Sequence, residues 1–146
     1  SSLIDELVSL DRQFQAVVSR AADRPVLFSH PVYQYLQRRY GINGQSVHWE
    51  PNAMADEAMW KELRDLLMTH PAQWMIWESE PLALISTKLA EMGIQSVVFD
   101  PCAGKPDKGD FISVMKQNVA ELERVYQSVQ DRKDERPTSN IPSDRS

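Results

Sequence analysis

The sequence predicts an α/β protein with a four-stranded parallel sheet and helices on both faces, preceded by a long helix. Three features favour this fold class. Four short apolar segments alternate with segments of helical periodicity, the connections between them are short, and Pro or Gly stands at many of their boundaries. Short, largely apolar strands are typical of parallel sheets buried on both sides, and right-handed crossovers place helices on both faces of such a sheet.

The first predicted element is a long amphipathic helix over residues 1–24. Its apolar residues recur at alternating steps of four and three, and Pro25 follows them. They form one stripe along the helix: Leu3, Leu7, Leu10, Phe14, Val17 and Ala21. A helix of this length before any strand is unusual in an independent α/β domain. We therefore expect its apolar side to need a partner.

Residues 25–130 carry the strands and the other helices. The predicted strands are 26–28, 46–49, 73–77 and 95–99. Helices are predicted to begin near Pro31, Asp56 and Pro81, because Pro suits the first turn of a helix and Asp the position before it. A last helix carries apolar residues from Phe111 to Val129.

The size and composition of the chain indicate one soluble domain with a packed core. It has 146 residues, of which 42% are hydrophobic and 25% charged, which is enough for four or five βα units. Residues 131–146 contain Pro, Ser, Asn and balanced charges around a single large apolar residue, Ile141. Such a segment buries too little apolar surface to order itself, so it is predicted to be a flexible tail.

Charge and composition exclude several classes of function. The net charge is −5 and no basic face is apparent, so nucleic acid is not an expected partner. No apolar run approaches the roughly 18 residues of a membrane-spanning helix. A single cysteine, Cys102, allows no internal disulfide.

Candidate functional residues lie where the predicted strands end, because ligands of open parallel sheets bind beyond the carboxyl ends of the strands. The four segments there are Ser29-His30-Pro31, His48-Trp49-Glu50-Pro51, Trp77-Glu78-Ser79-Glu80-Pro81 and Phe99-Asp100-Pro101-Cys102. An imidazole and a carboxylate on different strand ends could converge on one metal ion. His30 and Asp100 are therefore candidate metal ligands, although a hydrogen-bonded loop histidine would look the same in sequence.

Weaker candidates accompany this pair. Cys102 could be a soft ligand two residues from Asp100, but a lone cysteine also suits a packed position. His48 alternates with Val47 and Trp49, so it should face the opposite side of its strand, as a strand or second-shell histidine.

Other residues at the strand ends are predicted to have structural or surface roles. Glu50, Glu78 and Glu80 suit helix capping or the surface. A hydrolase built on the turn at Glu78 and Glu80 lacks a matched nucleophile and base, so no enzymatic activity is predicted. The four tryptophans, inside predicted strands and a helix, are expected in the core.

Several of these segments resemble a known protein family. The stretch from Phe28 to Gly41, FSHPVYQYLQRRYG, follows a long helix and resembles a signature of the periplasmic zinc/manganese substrate-binding proteins of ABC importers. Glu50-Pro51, the stretch from Ile76 to Pro81 and Val98-Phe99-Asp100-Pro101 resemble later steps of the family pattern in the same order. Asn118 and Leu122 match its closing helix. The resemblance covers roughly residues 3–130.

The resemblance implies the C-terminal lobe of a metal receptor whose N-terminal lobe is missing here. Such receptors hold Zn²⁺, or alternatively Mn²⁺, between two α/β lobes joined by a long helix, and deliver it to an ABC transporter permease. The ligands that this lobe would contribute correspond to His30 and Asp100, with the others coming from the N-terminal lobe. The implied location is periplasmic, or extracellular as a lipoprotein.

A second interpretation stays open at this point. The chain could be a metal-free α/β interaction module that binds a partner through the exposed stripe of its first helix. In either case, a stripe without its lobe could pair with a second copy, so a homodimer through residues 3–17 is predicted.

Overall fold

The computed structural model describes residues 2–101 and 108–127, the side chains of residues 108–110 excepted. Helices and strands alternate within these residues. In chain order they are α1 (Ser2–Ser19), β1 (Val26–Phe28), α2 (Gln34–Tyr40), β2 (Gly44–Ser46), α3 (Glu57–Thr69), β3 (Trp74–Trp77), α4 (Ala83–Glu91), β4 (Gln95–Val98) and α5 (Lys108–Val125). The predicted α/β class is confirmed.

The four strands form one parallel sheet in the order β2-β1-β3-β4. The connection that leaves β1 leads through α2 to β2 on one side, whereas the connection that leaves β3 leads through α4 to β4 on the other side. These two connections diverge between β1 and β3, and such a topological switch point opens a crevice at the carboxyl edge of a sheet. The loops that carry His30 and Glu78 border it.

Each face of the sheet has its own hydrophobic core, because alternate residues of a strand point to opposite faces. On one face, Val26 and Phe28 of β1 pack with α1, α5 and Tyr33. On the other face, Leu27 of β1 and Met75 of β3 pack with α3 and α4. Helices on both faces are thus confirmed, and β1 and β3 are buried on both sides.

The first helix docks on its own domain. It ends at Ser19 rather than near residue 24, and Leu10, Phe14 and Val17 are only 4%, 5% and 2% exposed in the core that α1 shares with α5. The part of the stripe from Leu10 to Val17 therefore finds its partner within the chain, which leaves only the early turns of the predicted dimer surface, residues 3–17, uncovered. The large apolar side chains that α1 exposes lie in its first turns, where Ile4, Leu7 and Val8 are 60%, 41% and 44% exposed.

The second strand begins earlier than predicted. It spans Gly44–Ser46 instead of 46–49, and the chain then continues beside β1, with Val47 N donating to Phe28 O at 2.9 Å and Trp49 N to Ser29 O at 2.7 Å. The apolar alternation of Val47 and Trp49 produced the strand signal, while pairing with β1 starts at a glycine with no side chain to signal it. A Cβ at Gly44 would collide with the ring of Phe28.

Helix boundaries differ from the predictions by a few residues. Asp56 caps α3 as predicted, its Oδ1 accepting from Met59 N at 2.9 Å. The last helix ends at Val125 instead of continuing to Val129, and Arg24 Nη1 donates to the carbonyl oxygens of Val125 and Gln127 at 2.5 and 2.8 Å.

The predicted tail, 131–146, lies outside the described residues. Across 2–101 and 108–127, no helix is both long and apolar enough to cross a membrane.

Candidate metal site

His30 lies just beyond β1, beside the switch point of the sheet. Its side chain is 32% exposed, and its Nε2 lies 3.3 Å from Oε2 of Glu50. Its Nδ1 is buried and has no hydrogen-bond partner among the described residues. A metal ion approaching from solvent can therefore reach the ring through Nε2, on the side that faces Glu50.

The segment after β2 brings two further side chains to His30. Val47 and Trp49 are buried and His48 is exposed, as the alternation predicted. The rings of His30 and His48 meet edge to face with their centroids 5.7 Å apart. This proximity was not predicted from the sequence. It arises because Trp49 N donates to Ser29 O and so sets the segment beside the His30 loop.

Asp100 follows β4 and is held by its backbone. Asn118 of α5, 2% exposed, accepts from Asp100 N at 3.0 Å through Oδ1 and donates to Asp100 O at 2.9 Å through Nδ2. One buried amide thus fixes both main-chain groups of the residue. This arrangement sets the direction from which the Asp100 carboxylate leaves the chain.

Tyr33 connects the His30 loop to the end of β4. Its hydroxyl donates to Phe99 O at 2.7 Å, and its ring stacks on Phe28 with centroids 4.9 Å apart. Burial, together with the negative charges of Glu78 and Asp100, raises the pKa of Tyr33 well above its ordinary value. The phenol therefore stays protonated and keeps donating, so the two loops are tied together at neutral pH.

Asp100 opens onto an acidic cavity of about 450 Å³ between the end of β3 and α5. Its lining includes the carboxylates of Glu78, Glu80 and Glu121. The contacts thus associate His30 with Glu50 and His48, and Asp100 with this cavity. Strand β3 separates β1 from β4, which corresponds to about 10 Å between their axes.

Of the three carboxylates for which helix capping or the surface was predicted, Glu50 and Glu80 are exposed and Glu78 is half-buried. Asp56 caps α3, and Leu82, the residue before α4, makes no side-chain capping bond. Within residues 2–101 and 108–127, no three His, Cys, Asp or Glu side chains converge on one point suited to a metal ion. Cys102 lies outside the described residues.

The tryptophans belong to the core, as predicted. Trp49, Trp60, Trp74 and Trp77 are each at most 8% exposed. Trp49 packs edge to face on Trp60 with centroids 4.9 Å apart. These contacts anchor the segment that carries His48 and Glu50.

An apolar groove of about 420 Å³ lies between α1, α2 and α5. Its walls include Leu7, Leu10, Val32, Tyr35, Phe99 and Met115. Val32 and Tyr35 are 44% and 67% exposed, which is high for an apolar and an aromatic side chain. The groove begins two residues beyond His30, so an apolar surface adjoins the candidate metal site.

Comparison with known proteins adds a family relationship. The profile of the family described as "ZnuA: Zinc-uptake complex component A periplasmic" matches residues 1–125. A curated relative, the zinc-binding protein AdcA of Streptococcus pyogenes, is 23% identical over 129 residues, which cover 84% of this chain and 25% of the relative. The chain spans about a quarter of the length of the curated relatives it matches.

Solved structures show the same fold. The Zn(II)-bound ZnuA-like domain of Streptococcus pneumoniae AdcA is similar with a TM-score of 0.72 and 20% identity, over 87% of this chain and 50% of that one. The metal-dependent lipoprotein YcdH of Bacillus subtilis is similar with the same TM-score and identity, over 86% and 50%. At this level of identity the likeness concerns the fold alone.

Proposed function

The chain belongs to the ZnuA family, the periplasmic component A of zinc-uptake complexes, and we propose that it is the metal-binding lobe of a receptor that delivers Zn²⁺ to an ABC importer. Mn²⁺ is the alternative metal. The observation that carries the proposal is the position of His30, whose reachable Nε2 stands at the switch point of the sheet beside the carboxylate of Glu50. The receptor would act in the periplasm or as an extracellular lipoprotein, and it is not an enzyme.

His30 and Asp100 are the proposed ligands of this lobe. An imidazole nitrogen and a carboxylate oxygen are donors that zinc accepts readily, and a zinc site usually has about four ligands. Two donors leave the coordination shell incomplete, so the others would come from a second lobe. Two hydrogen bonds position the pair. Tyr33 connects the His30 loop to the end of β4, and Asn118 fixes the backbone of Asp100.

The apolar groove supports a two-lobe receptor. Leu7 on the early part of α1 and Tyr35 on α2 expose apolar surface next to the metal site. A second lobe that closed over the metal would cover that surface. In a longer protein that contains this chain, we expect Leu7 and Tyr35 to be less labelled by hydroxyl radicals than in the 146-residue chain. Equal labelling would count against this docking.

Zinc binding by the 146-residue chain tests the ligands. In competition with a chromophoric chelator, we expect weak binding that His30→Ala and Asp100→Ala both reduce. Glu62→Gln, an exposed carboxylate change on α3, is the matched control. Tight binding unaffected by His30→Ala would place the site elsewhere.

The alternative, a metal-free interaction module, loses support from the fold. It required an exposed helix stripe, and Leu10, Phe14 and Val17 are buried in the chain's own core. The large apolar side chains that α1 exposes to a partner lie in its first turns.

A further inference from the structure

His30 and Glu50 face each other at a separation that suits a shared metal ion. Nε2 of His30 lies 3.3 Å from Oε2 of Glu50. Zinc binds histidine nitrogen at about 2.0–2.1 Å and carboxylate oxygen at about 2.0–2.2 Å, so two donors at the tetrahedral angle stand about 3.4 Å apart. The two atoms are therefore spaced as one edge of a zinc coordination tetrahedron.

We propose that Glu50 supplies a carboxylate ligand to the metal ion that His30 binds. The proposal rests on the proposed function and adds a ligand that the sequence had assigned to a cap or to the surface. Because Nδ1 of His30 is buried, the metal must bind at Nε2, the nitrogen that faces Glu50.

The fold holds Glu50 in place without using its side chain. Trp49 N donates to Ser29 O at 2.7 Å, so the residues that follow this pair, Glu50 and His30, are brought side by side. Trp49 is 3% exposed and packs on Trp60, so the residue before Glu50 is anchored in the hydrophobic core. Leu82 N donates to Pro51 O at 3.1 Å and anchors the other side of Glu50.

Among residues 2–101 and 108–127, the Glu50 side chain makes no contact that would stabilise the fold apart from the one with His30. It is 58% exposed, it caps no helix, and its one ionic contact is with His30 among the described residues. Replacing it should therefore leave folding unchanged. This separates a role in metal binding from a role in stability.

Such a ligand would also bear on metal choice. His30 with two carboxylates gives this lobe one nitrogen and two oxygen donors. Oxygen donors suit Mn²⁺ better than nitrogen or sulfur donors do. Removing the Glu50 carboxylate should therefore weaken Mn²⁺ binding by a larger factor than Zn²⁺ binding.

The experiment compares metal affinities of Glu50→Ala, Glu50→Gln and Glu62→Ala in the 146-residue chain. Glu62 is an exposed carboxylate on α3 outside the candidate site, so Glu62→Ala controls for the general effect of negative charge. We expect both Glu50 variants to lose at least about tenfold in Zn²⁺ affinity, the lower end of the loss when even an outer-shell partner is removed. Glu62→Ala should change the affinity much less.

Cobalt substitution gives a second readout. The visible absorption of bound Co²⁺ reports its coordination, so we expect the Glu50 variants to change that spectrum while their urea unfolding curves match the parent. If zinc binding depends on His30 but the Glu50 variants match Glu62→Ala in affinity and spectrum, the assignment of Glu50 is wrong and the proposed function stands. If zinc binding does not depend on His30, the proposed function fails, and the assignment of Glu50 fails with it.

Discussion

Asn118 of α5 holds the backbone of Asp100 from both sides, accepting from its N–H and donating to its carbonyl oxygen. Because the buried Asn118 amide bonds both main-chain groups of Asp100, the backbone position of Asp100 does not depend on its own side chain. Asp100 can therefore use its carboxylate for a ligand while its position is set by α5.

Replacing Asn118 should damage stability and metal binding together. Asn118→Ala leaves two backbone groups without their partner, and an unsatisfied buried group costs about 1–3 kcal/mol. We expect a loss of about 2 kcal/mol or more in the free energy of unfolding, measured by urea titration, and weaker zinc binding where the fold persists. Gln117→Ala, an exposed change on the same helix, is the control. Equal stability of the two variants would refute the role of Asn118.

Two buried tyrosines should respond in opposite ways to loss of the hydroxyl group. Tyr33→Phe removes the donor to Phe99 O and should cost about 1–2 kcal/mol. The hydroxyl of Tyr126 is buried with no hydrogen-bond partner among the described residues, so Tyr126→Phe should be neutral or stabilising. Urea unfolding of both variants measures the contrast. A larger loss in Tyr126→Phe than in Tyr33→Phe would show that the hydroxyl partners are misassigned.

Burial of tyrosines should make the fold sensitive to alkali. Burial raises the pKa of Tyr33, Tyr40 and Tyr126 in the folded protein above the value of about 10 found in unfolded chains. Their contribution to stability is therefore complete below pH 10 and is lost as the pH rises above it, because the unfolded chain releases these protons first. The urea midpoint should fall above about pH 10. Tyr126→Phe should make that fall shallower, and an unchanged slope would contradict the assignment.

The first helix should show a sharp boundary between structural and surface positions. Phe14→Glu places a charge where the ring is 5% exposed, and it should unfold the chain or cost more than about 4 kcal/mol. Leu7→Glu, at a position 41% exposed, should leave the unfolding curve nearly unchanged and weaken any homodimer in sedimentation. A well-folded Phe14→Glu chain would mean that α1 does not dock as described.

Gly44 should not tolerate a side chain. A Cβ there would meet the ring of Phe28 in the core, and overpacking of this kind costs about 1–3 kcal/mol. Gln45→Ala, at the exposed next position of β2, is the matched control. Thermal unfolding should separate the two variants, and a stable Gly44→Ala chain would show that the Phe28 ring has room to move.

Local pattern was sufficient for most of the fold. Apolar segments separated by helical periodicity indicated four parallel strands with helices on both faces, and Asp56 marked the start of α3 through its own side-chain bond. The periodicity of Leu10, Phe14 and Val17 also marked the apolar face of α1. In each case the signal and the structure concern neighbours in sequence.

The tertiary structure decided which element packs against each apolar surface. The stripe of α1 gave no sign that α5 would bury most of it, because α5 lies about a hundred residues later in the chain. Gly44 gave no strand signal, because its part in the sheet depends on the absence of a side chain beside Phe28.

The candidate site divides in the same way. The sequence alone marked His30 and Asp100, since residue type and strand-end position are local properties, and their roles as ligands stay predictions. Only the tertiary structure brought Glu50 to His30 and Asn118 to Asp100. The first contact depends on how the segment after β2 runs beside β1, and the second on the packing of α5 against the end of β4. Such registers between distant segments are set by packing, which no single stretch of sequence encodes.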